Sequence, residues 1–313
     1  MPHHDAGGGW WTFDVARYAR VARHSLVSVV LVLVVVACAP RTAVAVGGGD
    51  HLGRGPSPGC AATGSASVPE RLTVDGQQRN LLVTVPDGDH ATPRDLVIAF
   101  HGRTNDAAQV RRYFHLDEAL PNAVIVYPRA LRANPGSFSW SAPGDPAARL
   151  RDFALVDAII DAFGRVRCLD LDRVFVVGHS LGASFANDVA CHLGARIRAV
   201  ASVAGGLQGG PCVPGTAALI IHHPDDLLVP LNEGERVRDA FLAANALDSA
   251  SADPTQHAAL ARLRCVRYGD AATAQPVVWC VHDDATSPGG GYDPHTWPDG
   301  AAAAISTFFA SLP

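Results

Sequence analysis

Short apolar runs separated by amphipathic stretches set the pattern of this chain. Leu96 to Phe100, Ala123 to Tyr127, Val174 to Val177, Ala199 to Val203, Ala217 to Ile221 and Val277 to Val281 are nearly continuous in apolar residues. Runs of that length, bounded by polar or Gly/Pro positions, predict strands buried on both faces. Between them, helices are predicted around Asp106 to Leu116, Arg149 to Val166, Leu181 to Leu193, Glu233 to Ala246 and Ala301 to Leu312. Upstream, Leu72 to Val74 and Leu81 to Val85, separated by Asp75-Gly76, read as an antiparallel pair. Alternating strands and helices imply one α/β domain over residues 68–313, a mostly parallel central sheet with helices on both faces. No internal repeat and no second domain interrupts it.

The first 67 residues follow another pattern. Arg17, Arg20 and Arg23 precede an apolar stretch from Leu26 to Ala37 that is short for a membrane span, which predicts an export signal over residues 1–37. Two cleavage readings stay open. Val35-Val36-Ala37-Cys38 has the form of a lipobox, which makes Cys38 a lipidated first residue, whereas Ala43-Val44-Ala45 is an A-x-A site cleaved near residue 45. Residues 38–67, rich in Gly, Ser, Pro and Ala, predict a flexible linker, with structure beginning near Arg71. A lipid anchor at Cys38 is the one membrane contact expected.

Composition narrows the chemistry. A chain of 313 residues with 48% hydrophobic positions supports one large core. A net charge of -5 and the lack of a polybasic run leave no electrostatic footprint for nucleic acid. All 25 basic residues are arginine, which excludes a Schiff-base lysine, a phosphate-loop lysine and a Ser-Lys dyad. Export places the domain where disulfides persist, and six cysteines remain after Cys38: Cys60, Cys168, Cys191, Cys212, Cys265 and Cys280. They are disulfide candidates, three bridges being the natural number. Cys265 and Cys280 flank two strand-like runs and are the first expected pair. Their scatter lacks the close pairs of a metal site, so no metal is expected.

Gly178-His179-Ser180-Leu181-Gly182 lies between the strand ending at Val177 and the helix that follows. Strand, G-x-S-x-G, helix is the signature of a nucleophile held on a tight turn, where side chains at the flanking glycines would collide. Ser180 is therefore the candidate nucleophile, and the Leu181 N–H a candidate oxyanion donor. A serine needs a base, and the base a carboxylate, arranged in the order Ser, Asp or Glu, His. After the run ending at Ile221 stand Asp225 and Asp226, and Asp226 is the chosen acid, with Asp225 in reserve. Ahead of the last helix, His295 in a Gly-rich loop is the chosen base over His282 and His257. The Arg103 N–H, after His101-Gly102, is the second candidate oxyanion donor. Trp140 and Trp297 are candidate walls for an acyl or aryl group, or else packing residues.

These residues resemble a family. Phe100-His101-Gly102, the segment Cys168 to Gly178 leading into the elbow, Cys191, Val203-Ala204-Gly205, the Asp226 loop and His295-Thr296-Trp297-Pro298 resemble the polyhydroxybutyrate depolymerase, feruloyl esterase and acetylxylan esterase group of α/β-hydrolases, over about Arg71 to Pro313. The resemblance implies the α/β-hydrolase fold, no cofactor, Ser180, Asp226 and His295 as the triad, and a disulfide pattern that includes Cys168, Cys191, Cys212, Cys265 and Cys280. It departs at Arg103, where such enzymes often carry Cys, and at His179-Ser180-Leu181, which is closer to a general lipase or esterase elbow. No polymer-binding module follows the last helix, so a soluble or oligomeric ester is expected as substrate and a monomer as the working form. A serine peptidase of the same fold, or a general lipase or esterase, is the alternative.

Overall fold

A computed structural model describes residues 53–62, 67–88, 91–134, 137–140, 146–270, 272–287 and 289–313. The predicted export signal, both cleavage sites and Cys38 lie outside the described residues. β1 (Arg71–Val74) and β2 (Gln77–Thr84) form the predicted antiparallel pair, and Asp75 and Gly76 turn between them at φ 48° and 74°. β3 (Arg94–Phe100) leads to α1 (Ala107–Phe114), whose start is fixed by a reciprocal cap between Asp106 and Gln109. α2 (Leu116–Ala119), β4 (Val124–Pro128) and a hairpin of β5 (Leu131–Asn134) and β6 (Ser137–Ser139) follow. Then come α3 (Pro146–Val166), β7 (Leu169–His179), α4 (Leu181–Leu193), β8 (Ala199–Val203), β9 (Ala217–His222) and α5 (Leu231–Ala244). β10 (Asp253–Pro254), α6 (Ala258–Arg262), β11 (Cys265–Tyr268), β12 (Val277–Val281) and α7 (Ala301–Ala310) complete the order.

Among the described residues ten strands make one sheet, ordered β1-β2-β4-β3-β7-β8-β9-β12-β11-β10. The six from β4 to β12 are parallel and the outer pairings antiparallel. The pleat sorts each strand's apolar residues onto two faces. Leu96, Ile98 and Phe100 pack with Phe153, Ile159, Phe185 and Phe241 from α3, α4 and α5. Val97, Ala99 and Phe175 pack on the opposite face with Val110, Phe114, Ile305 and Phe308 from α1 and α7. Covering both faces explains why these strands are apolar throughout.

The expected linker is corrected at its C-terminal end. Residues 55–57 pair with the start of β7: Ser57 N–H donates to Leu169 O at 2.8 Å, and Leu171 N–H to Gly55 O at 2.9 Å. A disulfide between Cys60 and Cys168 pins the next turn. Its Gly59 lies so close to Arg167 that a Cβ would stand 2.1 Å from the Arg167 carbonyl oxygen. A composition-based reading missed this because the partner lies 108 residues away. Cys191–Cys212 and the expected Cys265–Cys280 bridge, the latter across paired β11 and β12, account for the other four.

One buried ion pair joins the sheet to α3. Arg79 Nη1 on β2 stands 2.7 Å from Asp152 Oδ1, with side chains 1% and 4% exposed. Burial favours the neutral form of both, lowering Arg79 and pushing Asp152 up to about 6 against the pull of the arginine charge. Asp152→Asn leaves a buried guanidinium without a carboxylate, and is expected to cost about 3–5 kcal/mol of stability. Chemical denaturation checks this, and a loss below about 1 kcal/mol would show the pair to be replaceable.

Candidate active site

The turn that carries the candidate nucleophile forms as the glycine spacing requires. Ser180 sits between β7 and α4 at φ 58° and ψ −127°, a strained conformation for a residue with a side chain. A Cβ on Gly178 would stand 2.2 Å from Gly182 O, and one on Gly182 would stand 2.2 Å from Phe100 O. Any larger residue at either position would push the turn off the sheet. Leu181 opens α4, so its N–H belongs to the first turn, where backbone donors have no intrahelical acceptor.

Two loops from the carboxyl ends of other strands reach this turn. His295, between β12 and α7, places Nε2 2.8 Å from Ser180 Oγ and Nδ1 2.7 Å from Asp226 Oδ2. Asp226, after β9, is 2% exposed. Its Oδ1 accepts the N–H groups of Leu228 and Val229 at 2.9 and 3.0 Å. Burial raises its pKa, but the hydrogen bonds from His295, Val229 and Leu228 outweigh burial and leave the carboxyl below its usual value. An ionised Asp226 fixes the His295 proton on Nδ1 and leaves Nε2 as the acceptor facing Ser180.

The reserve candidates are placed elsewhere. Asp225 accepts the Tyr292 hydroxyl at 3.1 Å, His257 caps α6, and the buried ring of His282 packs 5.3 Å from that of His223.

The loop after β3 passes beside Ser180. A Cβ on Gly102 would lie 3.4 Å from Ser180 Cβ, so glycine permits the approach. His101 folds back under this loop, its Nε2 accepting the Ala130 N–H at 3.1 Å and its Nδ1 donating to Gly102 O at 2.8 Å. Burial lowers its pKa to about 4 and keeps it neutral. Arg103 turns an exposed side chain outward while its carbonyl accepts the Phe138 N–H from β6 at 3.2 Å.

Trp140, read as a possible substrate wall, is a packing residue. It is fully buried, stacks on Phe185 at 5.2 Å, and donates its indole N–H to His101 O at 2.7 Å. The Gly/Pro/Ser-rich sequence around it suggested a surface loop, but the β5–β6 hairpin folds it beneath the loop after β3.

No protein-family model matches the chain. It is similar to the probable feruloyl esterase C of Aspergillus terreus, 29% identical over 183 residues, 55% of this chain and 64% of that protein. It thus spans less than two thirds of that relative's length. Feruloyl esterase D of Neurospora crassa is 25% identical over 252 residues, 74% of this chain and 83% of the relative. Among solved structures, a Bacillus cereus carboxylesterase superposes with a TM-score of 0.53 at 13% identity, covering 74% of this chain and 93% of its own. A Mesorhizobium loti carboxylesterase gives 0.51 at 16% identity, covering 77% and 99%. The chain has the α/β-hydrolase fold, and its sequence is similar to feruloyl esterases.

Two side chains that sequence reasoning assigned no role stand beside the candidate base, His295. His179 Nε2 lies 2.8 Å from the His295 carbonyl oxygen, and Tyr113 Oη lies 3.1 Å from His179 Nδ1. His222, fully buried behind the acid loop, donates from Nε2 to Val229 O at 2.7 Å. Position next to the elbow and to the acid was the available signal, but sequence does not show which way a ring points.

A cavity of about 1150 Å³ flanks the candidate base, with His295, His179, Tyr113 and Trp297 in its lining. Trp297 stacks on Phe114 at 4.0 Å, which gives the cavity a fixed aromatic side.

Proposed function

We propose that this α/β-hydrolase is a serine esterase that cleaves carboxylic esters through an acyl-enzyme. The observation that supports it is the continuous array from Ser180 Oγ through His295 to Asp226, with both links at hydrogen-bond length. His295 takes the Ser180 proton as Oγ attacks the ester carbonyl, and the Leu181 and Arg103 N–H groups stabilise the oxyanion. Protonated His295 then delivers that proton to the departing alcohol, and water activated by His295 releases the acid. The reading extends to feruloyl or acetyl esters of polysaccharides and to short hydroxyalkanoate esters, with Trp297 against the substrate. Similarity to feruloyl esterases supports that range. The three disulfides favour an exported enzyme, a monomer held at the envelope through Cys38 if the lipobox is used.

A fluorophosphonate probe should label Ser180 alone, and turnover should appear on p-nitrophenyl, acetyl-xylan, feruloyl or hydroxybutyrate esters. An unlabelled Ser180 in folded protein would overturn the mechanism. Faster cleavage of aminoacyl anilides than of esters would replace the esterase reading with a peptidase.

A further inference from the structure

The glycines of the elbow do not demand a histidine between Gly178 and Ser180, yet the His179 ring is engaged at both nitrogens. A carbonyl only accepts, so Nε2, 2.8 Å from His295 O, carries the ring proton. Nδ1 is then the acceptor, and the Tyr113 hydroxyl at 3.1 Å donates to it. The His295 carbonyl therefore sets the tautomer, and Tyr113 satisfies the remaining ring nitrogen and holds the ring with its donor at the base's backbone.

His295 itself is restrained by side chains. Its N–H donates to Asp293 Oδ1 at 3.1 Å, its ring is held by Asp226, and its carbonyl is taken by His179. The loop around it carries Gly289-Gly290-Gly291, and among the described residues it has no helix or strand between β12 and α7. Nucleophile and base are 115 residues apart in sequence. His179 is covalently next to one and hydrogen-bonded to the other.

We infer that His179, oriented by Tyr113, is a positioning residue for the base: it ties the His295 backbone to the residue adjoining Ser180 and so holds Nε2 within reach of Oγ. The inference rests on the proposed esterase mechanism. The electrostatics suit the role. Burial, with a further contribution from His295, lowers the His179 pKa to about 4, so the ring is a neutral donor while His295 carries its transient proton. A second charged ring 5.2 Å from His295 would oppose that proton.

The test compares two replacements of similar size. His179→Leu removes the donor, whereas the amide of His179→Gln reaches the position of Nε2. We expect His179→Leu to lower kcat by about 10- to 100-fold with KM within about twofold, since displacement of a reacting group by an ångström costs on that order. His179→Gln should stay within about fivefold of the parent, and the rate of fluorophosphonate labelling of Ser180 should follow kcat in both. Equal kcat in the Leu and Gln variants, at any level, would overturn the inference.

Should His179→Leu not fold, His179→Asn takes its place, because its shorter amide meets Tyr113 but stops short of His295 O. Tyr113→Phe is expected to lower kcat by about three- to tenfold at constant KM, and unchanged kcat would remove Tyr113 from the arrangement. An unmodified protein that neither labels nor turns over ester defeats the esterase reading; normal labelling with equal variants defeats only the positioning role.

Discussion

Replacing Ser180 with alanine is expected to lower ester turnover by about 10⁶-fold and to abolish fluorophosphonate labelling, with the fold intact. The size follows from what remains. Without Oγ there is no acyl-enzyme, and His295 and the oxyanion donors can at most assist water, leaving a residual rate about 10³- to 10⁴-fold above the uncatalysed one. Stability should change little. The backbone at φ 58° is held by flanking contacts at Gly178 and Gly182 that alanine leaves alone. Initial rates on p-nitrophenyl butyrate, with circular dichroism as the fold control, decide the matter. Turnover above about 1% of the parent would remove Ser180 from the mechanism.

The three residues of the proposed triad could be singled out in the sequence because each is constrained by local sequence or by topological order. A glycine two residues either side of a serine states a steric requirement, and the acid and base must follow defined strands. The parallel sheet was legible for a similar reason: strands covered on both faces are apolar without alternation, as in β3, β8 and β9.

What sequence did not show depends on distant partners. Trp140 lies in a stretch with the composition of a surface loop, yet donates to the carbonyl of a residue 39 positions earlier. Cys60 fastens a segment with the composition of a linker to Cys168. His179 reaches a carbonyl 116 residues downstream. None of these contacts leaves a period or a local motif. They also share a consequence: the residues that hold the site in shape are harder to find than those that react.

Asp226→Asn is expected to lower kcat by about 10⁴-fold, although asparagine has nearly the same shape. The reason lies in the donors around the carboxylate. Leu228 and Val229 N–H both point at Oδ1 and require an acceptor there, so the asparagine carbonyl oxygen takes that place. Its NH₂ group then faces His295 Nδ1. Two donors cannot face each other, so the imidazole shifts its proton to Nε2 and can no longer accept one from Ser180. Asp225→Asn, which disturbs only the bond to Tyr292, should leave kcat within about threefold.

The pH dependence of stability gives a second readout. The native pKa of Asp226 is depressed below its ordinary value of 3.8. The stability gained by the ionised carboxylate is therefore present above that value and lost as pH falls through the native pKa. The gap in melting temperature between parent and Asp226→Asn should accordingly narrow on acidification. A kcat above about 10% of the parent would mean that His295 does not depend on this carboxylate for its tautomer, and the acid would have to be assigned elsewhere.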